Sequence, residues 1–464
     1  MLEELREKHR GKVVIFTVFL ALFIDHILFS IVVPILPDYL IRIKGNNDSA
    51  YLEASLHRVN LTNFTAVTHE GEYHEAFAST NIPVALLLGT KAVVQIPAGI
   101  LVSHMTYRIG YAIPVFCGFM ITFASSLMFA FSTSYWMLLI ARGMNGVGAG
   151  FSAVAGMGFL ADTFPDNHER GRAISLAFGG IAIGILAGPV VGGVLYHYGG
   201  MVLPFVSLAT LSLIVGLIQF IVLRPKVSKA RPEPTNYSEF LTDPYIIIVA
   251  VGLWFGNFAF SMLEPALPLY MVENWGSNSA LQGIAFLPSS LAYLIGANVF
   301  GFLSKHFRRW LCSFAGFLMI ATMALVIPFA QNIYHLIIPN AILGFGLGLV
   351  DTNLIPMLGH IADLRHTAVY GSVYAIGDAA ACLAFAVGPF VAGPVVRYYG
   401  FLTLMIVISV SNLIIAPFMF VLRRLPETVE KKAEISAASE NPSFSSSSDN
   451  TKEKSEATLA EAVC

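Results

Sequence analysis

Twelve apolar stretches, each long enough to cross a lipid bilayer, recur along this chain of 464 residues. A helix needs about 20 apolar residues to span a hydrocarbon core of about 30 Å. Only 12% of the residues are charged, against about 25% in a typical soluble domain. The chain is therefore predicted to be an all-α membrane protein. Its predicted spans are residues 13–38, 82–103, 112–132, 136–161, 173–197, 201–223, 245–271, 281–303, 310–330, 335–361, 368–396 and 401–422.

The spans fall into two predicted halves of six helices, residues 13–223 and residues 245–422. The polar regions outside them are an N-terminal tail (1–12), a long loop (39–81), a linker (224–244) and a C-terminal tail (423–464). The C-terminal tail is rich in Ser, Glu and Lys, and such a composition predicts disorder.

Basic residues in short loops indicate the cytosolic side of a membrane protein. They cluster in the N-terminal tail, in the linker and between the eighth and ninth spans, so both termini are predicted to be cytosolic. The 39–81 loop then lies on the lumenal face. It carries three acceptor sequons, at Asn47, Asn60 and Asn63, and is predicted to be glycosylated.

Three motifs of the first half recur in the second. Pro34-Ile-Leu-Pro37 returns as Pro265-Ala-Leu-Pro268, Gly146 and its neighbouring glycines return at Gly344, and Gly188-Pro189 returns as Gly388-Pro389. The offset is 231 residues for the first motif and about 200 for the others, and the long loop of the first half accounts for the difference. Two parallel six-helix halves are thus expected, an organisation that resembles the major facilitator transporters.

Six charged side chains lie in the interior of the predicted spans. A charge at the bilayer centre costs roughly 2.5–3.5 kcal/mol, and such residues usually mark an ion or substrate path. The net charge of this set is −2, which suits a site that holds a cation, protons or each in turn. The six residues are Asp25, Glu264, Asp351, Asp378, Lys91 and Arg142.

Two of these carboxylates have distinctive surroundings. Glu264 precedes the Pro265–Pro268 stretch, where proline frees backbone carbonyls, and a carboxyl group away from water is suited to proton exchange. Asp25 is either a counter-ion for a cationic substrate or a packing hydrogen-bond acceptor. The adjacent His26 is predicted to serve packing, with a role as proton carrier left open.

The basic residues need partners, because an isolated ammonium in lipid is unfavourable. Lys91 is expected to pair with Asp351 or Asp378, as a structural clamp or as one that opens during transport. The guanidinium of Arg142 suits a carboxylate or backbone carbonyls, and Asn257 adds a polar contact on the face of Glu264. Aromatic residues near the carboxylates either pack in the core or form a cation–π box; they are Tyr270, Tyr293, Phe286 and Phe385.

From about residue 13 to residue 422 the sequence resembles the vesicular amine transporters. The segment Leu263–Pro268 is closer to the monoamine branch than to the acetylcholine branch. The motifs that carry the resemblance are Phe23-Ile-Asp25, Leu263-Glu264-Pro-Ala-Leu-Pro268, Gly348-Leu-Val-Asp351, Asp363-Leu-Arg-His366 and Val369-Tyr-Gly-Ser-Val-Tyr-Ala-Ile376.

The resemblance implies an antiporter that loads cytosolic monoamines into acidic vesicles in exchange for two protons. It implies that Asp25 contacts the amine, that Lys91 and Asp378 form an interhelical ion pair, and that Glu264 and Asp351 serve substrate and protons. The implied pocket residues are Arg142, Asn257, Tyr293 and Phe286. Three positions depart from the family: His26 replaces Asn, Tyr270 replaces Trp, and Phe385 replaces Tyr.

The expected partners are a small cationic amine, protons and the lipid bilayer, with no nucleic acid, no cofactor and no metal. A monomer in the membrane of secretory or synaptic vesicles is expected. No nucleophile, metal cluster or nucleotide loop points to an enzyme. The alternatives are a plasma-membrane exporter of drugs, organic cations or polyamines, a vesicular acetylcholine-type transporter, and a receptor or scaffold that does not transport.

Overall fold

The computed structural model describes residues 2–45, 70–223, 237–275, 279–302, 308–366 and 370–425. All regular structure in these ranges is helical. The long helices are α1 (Leu2–Gly45), α2 (Glu70–Ile109), α3 (Ala112–Ala130), α4 (Tyr135–Thr163), α5 (Asn167–Gly199), α6 (Val202–Leu223), α8 (Pro244–Trp275), α9 (Ser279–Phe302), α10 (Arg309–Val326), α11 (Ile337–Arg365) and α12 (Tyr370–Ile415). Shorter elements are α7 (Tyr237–Thr242) and 3₁₀ helices at Ile327–Phe329, Ile333–Leu336 and Ala416–Arg423.

The twelve predicted spans all fall on these helical segments, which confirms the predicted fold class. By length and apolar composition, nine segments of the described chain suffice to cross a membrane. One of them, Tyr370–Arg423, holds two predicted spans. The stretch Ile284–Val299 of α9 is apolar but shorter.

Several boundaries differ from the sequence prediction. The helix α1 already begins at Leu2 and continues to Gly45, and α2 begins at Glu70, so the predicted tail and both ends of the 39–81 loop are helical. The linker contains the short helix α7. The three predicted glycosylation sites, Asn47, Asn60 and Asn63, lie outside the described residues.

Gly400 divides α12 into two arms. Its φ of 83° lies in the left-handed region, which glycine adopts without the steric cost of a Cβ. The first arm precedes Gly400 and the second follows it. The break falls between the two predicted spans 368–396 and 401–422, so α12 supplies both of them.

The two halves share a packing detail that explains the repeated glycines. Gly146 of α4 lies directly against the backbone carbonyl of Lys91 in α2, where any side chain would collide. Gly344 of α11 lies in the same way against the carbonyl of Ser289 in α9. Small residues let transmembrane helices approach at backbone distance. The same offset of 198 residues relates both partners of the two contacts.

Charged residues join the halves at one end of the bundle, where α4 and α11 finish and α5, α10 and α12 begin; we call it the basic end. There Arg170 of α5 pairs with Asp363 of α11 at 2.7 Å. Arg309 of α10 donates to the side chain and the backbone carbonyl of Asn167, at 2.8 and 2.6 Å. Tyr370 donates to Asp363 at 2.7 Å. The contacts of Arg170 and Arg309 join the halves at this end, and Tyr370 anchors Asp363 within the second half.

Candidate functional site

The carboxylate of Asp25 lies in the middle of α1 and is 7% exposed. Lys91 of α2 donates to its Oδ2 atom at 2.7 Å. The side-chain nitrogen of Asn145 in α4 donates to the Oδ1 atom of Asp25 at 3.4 Å. Both oxygens of this buried carboxylate therefore have partners from the first half, and the charge of Asp25 is compensated within that half.

Sequence reasoning did not identify Asn145. The residue type gives only a weak signal, because an uncharged amide is common in apolar helices. The position of Asn145 in the sequence gives a clearer signal. Asn145 follows Arg142 by three residues, so the two share a face of α4.

The predicted ion pair between Lys91 and Asp378 is absent from this structure. The carboxylate of Asp378 in α12 instead accepts two hydrogen bonds from Gln95, at 2.9 and 3.1 Å. Gln95 follows Lys91 by one helical turn, on the same face of α2. The two side chains nevertheless reach different carboxylates, Asp25 for Lys91 and Asp378 for Gln95. Lys91 remains close enough to act on Asp378 electrostatically, and the Gln95 contact joins the two halves.

Arg142 is completely buried in α4. None of its three side-chain nitrogens has a hydrogen-bond partner in the part of the chain that the structure describes. Its guanidinium lies 5.1 Å from the centre of the Phe29 ring, and Asp25 and Glu264 act on it electrostatically. A buried donor set without acceptors is costly, so the region around Arg142 is suited to a ligand or water with acceptor atoms.

Asp351 of α11 lies in a second cluster, which the sequence predicted in part. Asn257 of α8 donates to its Oδ1 atom at 3.1 Å, and Tyr293 of α9 donates to its Oδ2 atom at 3.2 Å. Both donors are neutral, and no ion pair to Asp351 occurs among the described residues. The structure therefore brings two predicted pocket residues, Asn257 and Tyr293, to the buried carboxylate of Asp351, which has no ion-pair partner among the described residues.

Glu264 lies on α8 and is partly exposed. It makes no hydrogen bond to any residue in the described ranges, and its electrostatic partner is Arg142 of the opposite half. The predicted pocket residue Phe286 packs against the hydrophobic cluster that contains Tyr293. This carboxylate is thus the one that faces the other half with its oxygens free.

The predicted aromatic residues divide into two groups. Phe385 of α12 meets Phe29 edge-to-face, with ring centres 6.2 Å apart, and Phe29 also lies under Lys91 at 5.6 Å. Tyr270 lies elsewhere: it donates to the carbonyl of Pro328 at 3.2 Å and stacks on Phe401 at 4.2 Å. The structure therefore places Phe385 beside the charged cluster. Tyr270, which lies six residues after Glu264 in the sequence, packs against Phe401 instead.

Within the described ranges, no group of three His, Cys, Asp or Glu side chains is placed to hold a metal ion. The arrangement offers a compensated carboxylate, an unpartnered guanidinium and three carboxylates that have no ion pair. It is suited to binding and exchanging cations.

Comparisons with known proteins give a consistent answer. The sequence model of the Major Facilitator Superfamily matches residues 18–263 and 249–456. The synaptic vesicular amine transporter of Rattus norvegicus is 41% identical over 92% of this chain and 91% of its own. The chromaffin granule amine transporter of Homo sapiens is 40% identical over 92% and 90%. A probable vesicular acetylcholine transporter of Danio rerio is 33% identical over 90% and 80%.

Among solved structures, the crystal structure of the human organic anion transporter MFSD10 (TETRAN) superimposes with a TM-score of 0.72. The match covers 88% of this chain and 99% of that one, at 17% sequence identity. At that identity the likeness concerns the fold alone.

Proposed function

The chain belongs to the major facilitator superfamily and, within it, to the vesicular amine transporters, and on that premise we propose that it is a proton-coupled antiporter. Its substrates are cationic monoamines of the serotonin, dopamine and histamine type. It loads them from the cytosol into acidic secretory or synaptic vesicles by alternating access between the two halves.

The observation that carries the proposal is the state of Asp351. Its carboxylate is 9% exposed, and its donors, Asn257 and Tyr293, are neutral. An ionised carboxyl group in such a place is costly unless a cation joins it. A proton or a substrate ammonium each relieves that cost, and the two compete for the same oxygens. Competition of this kind couples the movement of one to the movement of the other.

Glu264 supplies the second exchanging group. It faces the first half with no hydrogen bond to a described residue, and the fully buried Arg142 acts on it from across the interface. With Asp351 and Glu264 as the two proton sites, two protons leave the vesicle for each amine that enters. A tenfold proton gradient then supplies about 2.7 kcal/mol, at about 1.36 kcal/mol per proton and pH unit.

Lys91 is proposed to alternate between two carboxylates. In this structure its ammonium occupies Asp25, which is the place a substrate ammonium would take. Transfer of Lys91 to Asp378 would free Asp25 for the amine and would form the ion pair that the sequence resemblance implies. Asp25 then joins substrate binding and proton coupling in one conformation and is compensated by Lys91 in the other.

The remaining pocket residues contact the uncharged part of the substrate. The aromatic rings Phe286, Tyr293 and Phe385 supply apolar and cation–π surface, and Asn257 and Arg142 supply hydrogen-bond donors. Tyr270 packs against Phe401 in this structure and would reach the substrate only in another conformation.

The contacts between the halves at the basic end fit release on the opposite face. We infer from the basic residues in the short loops that the basic end is cytosolic, and with it both termini. With the ion pair between Arg170 and Asp363 holding the halves together there, the site would open to the lumenal side, where protons are plentiful and the amine leaves. The protein acts as a monomer in the bilayer and needs no cofactor.

The alternatives differ in cargo and in membrane. The higher identity to the amine transporters, 41% against 33% for the acetylcholine transporter, favours monoamines. A plasma-membrane exporter of organic cations would use the same chemistry in another membrane. Localisation of a tagged protein to acidic vesicles or to the cell surface separates these two possibilities.

The deciding experiment is uptake by the purified protein in liposomes with an acidic interior. Labelled serotonin, dopamine, histamine and acetylcholine are offered in turn. We expect a monoamine to accumulate and a proton ionophore to abolish the accumulation. Preference for acetylcholine would reassign the cargo, and failure of all four with folded protein would contradict the proposed function.

A further inference from the structure

The imidazole of His26 lies next to the charged cluster and has a defined tautomer. Its Nδ1 atom is 2.8 Å from the carbonyl oxygen of Leu22 and 3.7 Å from the Oδ2 atom of Asp25. A carbonyl oxygen only accepts hydrogen bonds, so Nδ1 carries the proton of this contact. The other ring nitrogen, Nε2, makes no hydrogen bond to a residue that the structure describes.

The charge balance favours the neutral ring. Lys91 already compensates Asp25 at 2.7 Å, and a second cation there would be left without a counter-ion. In a neutral imidazole with its proton on Nδ1, the Nε2 atom is a hydrogen-bond acceptor. His26 thus adds an acceptor beside a cluster in which Lys91, Arg142 and the amide nitrogen of Asn145 are donors. The amide oxygen of Asn145 is a further acceptor, buried and without a hydrogen-bond partner among the described residues.

The packing leaves the His26 ring partly uncovered. The His26 side chain is 24% exposed, while Ile24 and Ile27 on the same helix are 1% and 4% exposed. On the neighbouring helix α5, Gly184 approaches the histidine so closely that a Cβ there would lie 3.0 Å from the Cβ of His26. Because the Nδ1 edge is occupied, the accessible edge of the ring is the one that carries Nε2.

We propose that Nε2 of His26 accepts a hydrogen bond from the aromatic part of the substrate, and that it selects amines whose ring carries a hydroxyl group. The inference rests on the proposed function and adds an orientation to it. In the conformation of this structure, in which Lys91 occupies Asp25, the ammonium group lies at the carboxylates of the second half, Glu264 and Asp351. The ring hydroxyl lies at His26 in the first half, so one substrate molecule bridges the two halves.

Two substitutions separate the acceptor from the packing role. Asn in His26→Asn retains an amide nitrogen near the position of Nδ1, where it can still donate to Leu22, but it places nothing at Nε2. Gln in His26→Gln can place its amide oxygen near Nε2. The probes are serotonin and tryptamine, which differ only in the ring hydroxyl, and uptake is measured in acid-interior liposomes.

For the unmodified protein, KM for tryptamine should exceed KM for serotonin by about tenfold, equivalent to about 1.4 kcal/mol and typical of one hydrogen bond. His26→Asn should raise KM for serotonin by about tenfold and leave tryptamine within twofold. His26→Gln should retain most of the preference. Size-exclusion chromatography confirms that equal amounts of folded protein are compared.

Three results would overturn the inference. The first is equal KM values for the two amines in the unmodified protein, which needs no variant. The second is an equal loss for both amines in His26→Asn, which would indicate a packing role. The third is a preference that survives His26→Asn unchanged. Absence of any amine uptake by the unmodified protein would instead contradict the proposed function.

Discussion

The two halves are built on the same backbone plan but carry opposite charges at the centre. The first half contributes Asp25, Lys91 and Arg142, a net charge of +1, and the second contributes Glu264, Asp351 and Asp378, a net charge of −3. The repeat makes the contrast sharper. The position of Lys91 corresponds to Ser289, and the two helix contacts with Gly146 and Gly344 are equivalent.

The two halves differ in whether their buried carboxylates have a charged partner. In the first half, Lys91 satisfies Asp25 directly. In the second half, Asp351 receives hydrogen bonds only from neutral groups, and so does Asp378, from Gln95 of the first half. A shared fold thus supplies the scaffold twice, and the placement of two basic residues in the first half leaves Asp351 and Asp378 of the second half with neutral hydrogen-bond donors among the described residues.

Neutralising a carboxylate of the second half should have the largest effect. In Asp351→Asn the group that protons and ammonium share is gone, and uptake driven by a pH gradient should fall by about 100-fold or more. The measurement is uptake of a labelled monoamine as the lumenal pH is varied. Uptake that still scales with the gradient would remove Asp351 from the coupling mechanism.

The ion pair between Asp25 and Lys91 in the first half can be broken by a substitution of either residue. Asp25→Asn and Lys91→Gln each leave a buried charge unpaired, which should destabilise the fold by about 3 kcal/mol. The double variant Asp25→Asn/Lys91→Gln should be more stable than either single one. Thermal unfolding in detergent measures the effect. A double variant less stable than both singles would show that the two side chains do not interact.

Gln95 and Tyr293 test equivalent positions, since the offset of 198 relates them. Tyr293→Phe removes a donor within the second half and should raise KM threefold to tenfold, typical of about 1 kcal/mol. Gln95→Leu removes a donor between the halves to Asp378, a bond that must break when the halves separate. It should change kcat more than KM. The same kinetic profile for both variants would mean that the interface bond is not part of the cycle.

At the basic end the expected effect is on stability. Asp243 accepts hydrogen bonds from Arg365 at 2.7 Å and from His366 at 2.9 Å. Burial alone would raise the pKa of the Asp243 carboxyl, but hydrogen bonds from Arg365, the Tyr245 backbone amide and His366 hold its pKa below the ordinary value.

Because the pKa of Asp243 is lower in the folded state, its contribution to stability is complete above about pH 4, the ordinary pKa of an aspartate, and is lost as the pH falls through the lowered value. Asp243→Asn should therefore reduce the stability by about 2 kcal/mol at pH 7. The difference from the unmodified protein should shrink below about pH 4. Thermal unfolding at pH 7, 5 and 3.5 tests this, and a constant difference would assign the effect to packing.

Much of the fold followed from the sequence, because the apolar spans and the repeated glycines leave few arrangements. The positions of Asp25, Asp351 and Glu264 inside the bundle followed from the cost of burying charge. The partner of Lys91 did not, since Asp25 and Asp378 both lie within its electrostatic range and the conformation decides between them. Gln95 and Asn145 were missed because a neutral amide in an apolar helix resembles many packing residues.

The glycine contact beside Lys91 has a consequence for the speed of the cycle. Since Gly146 fixes the backbone of Lys91 against α4, transfer of the ammonium from Asp25 to Asp378 is a change of side-chain torsions alone. Such changes take picoseconds to nanoseconds at exposed sites, whereas helix movements take microseconds to milliseconds. On the proposed mechanism, Lys91, which is 8% exposed here, would therefore exchange between the two carboxylates quickly once the halves separate and expose it. The slower separation of the halves would then limit the transfer.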